Sequence, residues 1–389
     1  MVWITLLLLS SLLCSFGFAQ DDDPHLPSRI ALNGLTRQKD LVASPFLYLS
    51  PIVVSWVPGD TKGEHASNAL TSPIQVTVSE ECPYCVEHTL VWSFSGEFKR
   101  SPSFQIPKRI LKKMMPKRSY AMQLRHNNDT SWSQPLVFDI APEISDWDKA
   151  EWVGGASQLR SEILLAKGKE VGKARAYASG LGAFQLHVNG GIVGDHIMGP
   201  GESVYDQKVL YVGFDVTPLL QPGKLNVFGA VVGNSKFGYL DIYANRSKVH
   251  DQSGDSTRAF IMLCVVTYKD GSEEMFTTTS DSSSPQSTWM ARHGPIVYDH
   301  LWHGEIFDHR LTIEGWDAGS LQRGDEWAAA KKMVPVVGEL VPQQMPPIRI
   351  TETLLPVHSR CSNDACVFDF GLNFAGLTAL TFSIPSSKI

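Results

Sequence analysis

Glu305 and Asp308, in His303-Gly-Glu-Ile-Phe-Asp-His-Arg310, are the carboxylates of this chain best suited to acid–base work. Hydrolysis with inversion needs a general acid and a general base about 6.5 to 9.5 Å apart, so that a water fits between base and substrate. On an extended strand three residues span about 10 Å, and side chains three apart point to opposite faces. That is poor geometry for one substrate ring. The competing reading, in which Asp308 pairs with Arg310 or caps a turn amide, is favoured, and no residue of the chain is assigned a catalytic role.

Three further constellations deserve a chemical reading. His300, His303 and His309 with Asp299 form a histidine-rich group, but their spacing fits no standard zinc pattern, so no metal is assigned there. Asn189, Asp195 and Asp206 offer the oxygen ligands that calcium prefers, and calcium is the one cofactor the sequence leaves open. Against it, Asn189 has the positive φ that a turn with Gly190 requires, and Asp206 caps a strand end; this reading is preferred. The aromatic side chains Tyr205, Phe237, Tyr239, Trp302 and Phe307 stack on a ligand ring if they are exposed together and fill the core if they are not; sequence leaves both open.

The cysteines point to export. Met1 to Gln20 is a short apolar run ending in Gly17-Phe18-Ala19, small residues at the two positions a signal peptidase reads, so residues 1–19 are predicted to be a signal peptide cleaved after Ala19. The run is short for a bilayer span, Asp21-Asp22-Asp23 follows at once, and no later stretch reaches about 20 apolar residues. The predicted mature chain is secreted, with no membrane partner. Five cysteines then remain. Cys361 and Cys366 flank a turn and are expected to form a local disulfide. Cys82-Pro-Tyr-Cys85 is a second disulfide candidate, since neither a second CxxC nor a βαβ context supports a zinc or redox role. Cys264, in an apolar strand, reads as a buried thiol.

The elements that must position these residues are strands. A 43% hydrophobic content suits folded domains, and a formal charge of -6 leaves no basic footprint, so nucleic acid is excluded as the main partner. Gly and Pro clusters separate short β-branched and aromatic runs throughout. Residues 25–140 read as a β-sandwich of the fibronectin III or immunoglobulin kind, with strands at 53–57, 74–78, 89–94 and 120–125. Asn128-Asp-Thr130, in its Asn127-Asn128 turn, is an N-glycosylation acceptor. A linker, 141–148, leads to a second block, 150–335, read as a jelly-roll with strands at 159–165, 173–179, 184–188, 207–215, 225–232, 258–268 and 274–279. Asn245-Arg-Ser247 is a second acceptor. Residues 345–389 hold strand-like stretches at 348–354, 366–370 and 377–384, too few to bury a core alone, and read as an incomplete third β-domain. The fold class is all-β, tandem sandwiches.

An ordered series of short motifs runs through the second block. It comprises Trp152, Arg160, Gly180-Leu181-Gly182, Asn189-Gly190, Val193-Gly194-Asp195, Pro200-Gly201, Tyr205, Asp215-Val216-Thr217 with Leu219-Leu220, and Gly304-Glu305 with Asp308 and Arg310. In this order the block resembles the N-terminal domain of bacterial-type α-L-rhamnosidases. Asp146-Trp147 and Trp132-Ser133 with Phe138 are similar to that family's linker and leader, and Phe368-Asp369-Phe370-Gly371-Leu372-Asn373-Phe374-Ala375-Gly376 to the start of its concanavalin-like module. The chain departs from the pattern at Asn234-Ser235-Lys236-Phe237, where the family has a Gly-Trp-Tyr-like segment, and at His309, where it has a small residue. The resemblance implies a family of inverting glycoside hydrolases that release terminal L-rhamnose, with catalytic carboxylates on an (α/α)6 barrel that has no counterpart in these 389 residues. The expectation is therefore a set of non-catalytic N-terminal modules that bind a rhamnose-containing carbohydrate or glycoside, with Asn189, Tyr205 and Trp302 as substrate-binding candidates. A stand-alone, non-catalytic carbohydrate-binding β-sandwich protein is the alternative.

Overall fold

A computed structural model describes residues 28–381 in part; the main stretches left outside it are 1–27, 37–45, 58–72, 82–88, 97–102, 127–130, 238–257, 282–287, 320–326 and 382–389. The predicted signal peptide, Cys82, Cys85, Asn128, Asn245, Tyr239, Trp302 and His303 lie outside the described residues. The chain divides into two units, Asp21–Pro347 and a smaller one that contains Ile348–Ile389. Among the described residues no helix is long and apolar enough to cross a membrane.

Among the described residues the first sandwich has nine strands: β1 Ser28–Leu32, β2 Leu35–Thr36, β3 Phe46–Leu47, β4 Val53–Val57, β5 Ile74–Glu81, β6 Thr89–Gly96, β7 Ser103–Gln105, β8 Ser119–His126 and β9 Leu136–Ile140. One sheet runs β2-β1-β4-β7 and the other β3-β9-β8-β5-β6. Alternation explains why they pack. In β5 Ile74, Val76 and Val78 are buried while their neighbours are half-exposed, and the same period in β8 and β9 adds Met122, Leu124, Leu136, Phe138 and Ile140. Val54 of the opposite sheet and Ile110 and Leu111 of the one-turn helix α1, Lys108–Leu111, close the same core.

The second sandwich follows in chain order with β10 Val153–Gly154, β11 Gln158–Leu164, β12 Val171–Leu181, β13 Ala183–Val188, β14 Gly191–Ile192, β15 Lys208–Asp215, β16 Leu225–Gly233, β17 Ala259–Tyr268, β18 Glu273–Thr277 and β19 Met290–Arg292. Next come β20 Ile296–His300, β21 Gly304–Phe307, β22 Ala328–Ala329, β23 Lys331–Lys332 and β24 Glu339–Pro342. One sheet is ordered β23-β10-β17-β12-β15-β24 with β18 also on β17, the other β14-β13-β16-β11-β19-β22. Their inner faces share one core: Ala174, Ala176 and Ala178 of β12 and Phe260, Met262, Cys264 and Val266 of β17 meet Leu186 and Val188 of β13 and Phe228, Ala230 and Val232 of β16. All ten residues of β17 are buried. Its outer face is covered too, which is why its sequence reads as an unbroken apolar run rather than an alternation. Cys264 is a free buried thiol whose pKa burial pushes up to about 12, an inert position.

Every strand expected in this block is present to within a few residues at its ends. The sheet also continues past residue 335, where β24 adds in parallel to β15.

The smaller unit holds a hairpin of β25 His358–Ser362 and β26 Ala365–Asp369, with Cys361 directly opposite Cys366 and disulfide-bonded to it. The strand expected at 348–354 does not form, and 377–381 is not a strand either. Apolar content suffices there, as in Ile348 and Ile350. No described strand offers these segments a ladder of backbone partners, and a strand without one has unpaired N–H and C=O groups.

Candidate functional site

The carboxylates singled out by spacing lie on one hairpin. β20 and β21 pair so that Asp299 stands opposite Glu305, and directly opposite residues share a face. Asp299 reaches from this hairpin to the sheet end. It accepts hydrogen bonds from the Arg258 guanidinium at 2.5 Å, from the Asn234 backbone N–H at 2.6 Å and from the Asn234 side-chain amide at 3.2 Å. Arg258 is almost wholly buried, so Asp299 supplies a counter-charge that a buried cation requires. Desolvation at the hairpin, with the Asp299 carboxylate beside it, raises the Glu305 pKa and favours its protonated form.

Asp308 is engaged differently. It caps the 3-10 turn His309–Leu311 by accepting from the Arg310 backbone N–H, and it holds the Arg310 guanidinium at 2.6 and 2.8 Å. The hydrogen bond from the Arg310 side chain is the main cause that pulls its pKa down to about 2. A carboxylate so strongly committed to ionisation is a poor general base near neutrality. The turn role expected for Asp308 is the one it has.

Asn189 and Gly190 turn the chain from β13 to β14 with φ of 52° and 87°, the left-handed pair that a two-residue hairpin demands. The Asn189 side chain is fully employed inside the protein. Its amide donates to the Leu219 carbonyl at 2.8 Å and to the Asn226 side-chain oxygen at 2.9 Å, while its oxygen accepts from the Val227 N–H at 2.8 Å. Neither a sugar hydroxyl nor a calcium ion finds a free donor set there. Asp195 and Asp206 are exposed, and among the described residues no group of three or more His, Cys, Asp or Glu is placed to hold a metal. Tyr205 is 3% exposed and meets Phe237 edge-on at 5.1 Å, so its ring has no open face for a sugar. Phe307 is half-buried.

A polar site that spacing did not reveal lies on the outer face of the six-stranded sheet. Arg160 of β11, Gly229 of β16 and His187 of β13 stand in one row across three strands. Segment 315–319 crosses this row as a strap. Arg160 donates to the carbonyls of Trp316 and Ala318 at 2.5 and 2.8 Å and to the Glu162 carboxylate at 2.7 Å. His187 Nδ1 meets the Asp317 carboxylate at 2.6 Å, and the Trp316 ring lies over Gly229. A Cβ on residue 229 would fall 2.8 Å from that ring. Gly229→Ala should therefore lift the strap and cost about 1–3 kcal/mol, read as a lower urea midpoint with a change in tryptophan emission.

Burial pushes the Asp317 carboxyl up, but the hydrogen bond and charge of His187 and the charge of Arg160 outweigh it, so the folded pKa lies below the usual value. A depressed carboxylate stabilises fully above its unfolded pKa of about 4, and that contribution is lost as pH falls through the lower folded value. Strap fluorescence should thus hold steady from pH 7 to about 5 and change only in stronger acid; in Asp317→Asn that acid-dependent change should shrink.

Three of the ordered motifs are architectural. Arg160 holds the strap, Asn189-Gly190 makes a hairpin, and Asp215 accepts from the Thr217 N–H at 2.9 Å while the Thr217 hydroxyl accepts from the Ala174 N–H at 2.8 Å, turning the chain after β15. Residues 169–352 match the family model of the alpha-L-rhamnosidase N-terminal domain, and the chain is similar to the N-terminal region of α-L-rhamnosidases. An alpha-L-rhamnosidase of Formosa agariphila is 28% identical over 301 residues, 68% of this chain and 30% of its own length. One from Streptomyces avermitilis is 30% identical over 272 residues, 66% of this chain and 25% of its own. This chain thus spans less than a third of the length of these curated relatives. Solved α-L-rhamnosidase structures from Dictyoglumus thermophilum and Aspergillus terreus share the fold, with TM-scores of 0.66 and 0.65 at 23% identity, covering 90% and 89% of this chain and 39% and 38% of theirs.

Proposed function

We propose that these residues are the secreted, non-catalytic N-terminal region of an α-L-rhamnosidase-type glycoside hydrolase, and that they engage rhamnose-containing carbohydrate rather than cleave it. The observation that carries this reading is the match of residues 169–352 to the rhamnosidase N-terminal domain. The commitments of the local carboxylates support the non-catalytic part: Asp299 is spent on Arg258 and Asn234, and Asp308 on Arg310. Export rests on the Met1–Ala19 leader, and Asn128 and Asn245 would then carry glycans.

Titrating the purified chain with L-rhamnose and with a rhamnosylated flavonoid, and following heats and amide chemical shifts, tests the binding part. Saturable, rhamnose-dependent shifts are expected. Identical spectra at millimolar sugar would remove carbohydrate engagement from the account.

A further inference from the structure

The two sandwiches meet at a buried charge that neither needs for its own core. Strand β9 alternates: Leu136, Phe138 and Ile140 face the first core, so Asp139 points outward. An outward carboxylate on a two-sheet sandwich belongs in water, yet Asp139 is 0% exposed. What covers it is the second sandwich. Lys173 and Arg175 of β12 share the outer face of the seven-stranded sheet, because Ala174 and Ala176 between and beside them face inward.

One Asp139 oxygen accepts from the Ser119 hydroxyl of its own sandwich and from the Lys173 ammonium at 2.7 Å; the other accepts from Arg175 Nε at 2.8 Å. Arg175 also pairs with Asp215 at 2.7 Å, and Lys173 donates to the Ser119 hydroxyl at 2.5 Å. Two anions and two cations thus balance, with Asp139 and Arg175 buried and Lys173 and Asp215 at the edge. The stretch read as a linker packs beside it: Ala141 and Trp147 lie with Tyr177, Tyr211, Ile261, Leu263 and Val265 on the same outer face, and Lys117 pairs with Asp146 at 2.6 Å.

We infer that the Asp139–Lys173–Arg175 node rivets the first sandwich to the second, so that residues 28–347 unfold and orient as one cooperative body rather than as two modules on a tether. The energetic logic is asymmetric. Formed whole, the pairs offset the cost of taking their charges out of water, whereas removing Asp139 leaves Lys173 and Arg175 at the seam with one carboxylate fewer, which favours undocking. Burial by itself would raise the Asp139 pKa, and the charges of Arg175 and Lys173 more than reverse this, holding it at about 2. Asp139 therefore stays ionised at neutral and mildly acidic pH.

Scanning calorimetry of the full chain at neutral pH, with limited proteolysis across 141–148, tests this. The wild-type chain should melt its sandwiches in one transition whose calorimetric and van't Hoff enthalpies agree. Asp139→Asn should split that transition and raise cleavage in 141–148 about tenfold or more. If Asp139→Asn yields no folded protein, Lys173→Met, which keeps the Arg175 bond, should give the same split in milder form. Two separate transitions in the wild-type chain, or a lowered but undivided transition with unchanged cleavage in the variants, would overturn the inference.

Discussion

Replacing Gly182 with alanine should destabilise the second sandwich by about 3–5 kcal/mol, enough to move most of the protein to the insoluble fraction at ordinary expression temperature. Gly182 is the single residue between β12 and β13, and those strands belong to different sheets. The chain must therefore turn a corner in one step. It does so with φ of 106°, a conformation that L side chains rarely adopt. Space forbids a side chain as well as torsion: a Cβ would sit 2.4 Å from the carbonyl oxygens of both Gly233 and Asn234, which are backbone atoms and cannot swing away. The urea midpoint of whatever soluble fraction survives is the measurement. A midpoint within error of wild type would mean that the corner relaxes far more easily than its geometry indicates.

Asp299→Ala should cost about 3 kcal/mol or more, because Arg258 would remain buried without this carboxylate and Asn234 would lose its acceptor. Asp308→Ala is the control. Its partner Arg310 is exposed, and exposed pairs contribute little. The contrast separates a carboxylate that neutralises a buried cation from one that pairs at the surface. Urea titrations of the two variants side by side decide it.

How much of this was legible beforehand depends on how local the cause is. Strand β17 was visible because ten apolar residues in a row need no partner to be recognised, and the Asn189-Gly190 hairpin because its φ requirement is written in two residues. Asp308 was read correctly as a cap because Arg310 lies two positions away. The strap was not visible: Arg160 and Trp316 are 156 residues apart, and a glycine inside β16 carries no sign of the ring that covers it. Tyr205 was ambiguous for the same reason, since only the assembled fold decides which face of an aromatic is open. Asp139 carries no local sign of its role, because its partners Lys173 and Arg175 come from the second sandwich. At 348–354 the error ran the other way, because apolar content predicts the wish to pair but not the presence of a partner.

Asp299 and Asp308 are spent on structure, and the role proposed for these residues is engagement of carbohydrate without cleavage. Release of nitrophenol from p-nitrophenyl α-L-rhamnoside by the purified chain tests that most directly. The expected result is a rate indistinguishable from buffer, unchanged by Glu305→Gln. Turnover that follows the chain through successive columns and is abolished by Glu305→Gln would contradict it.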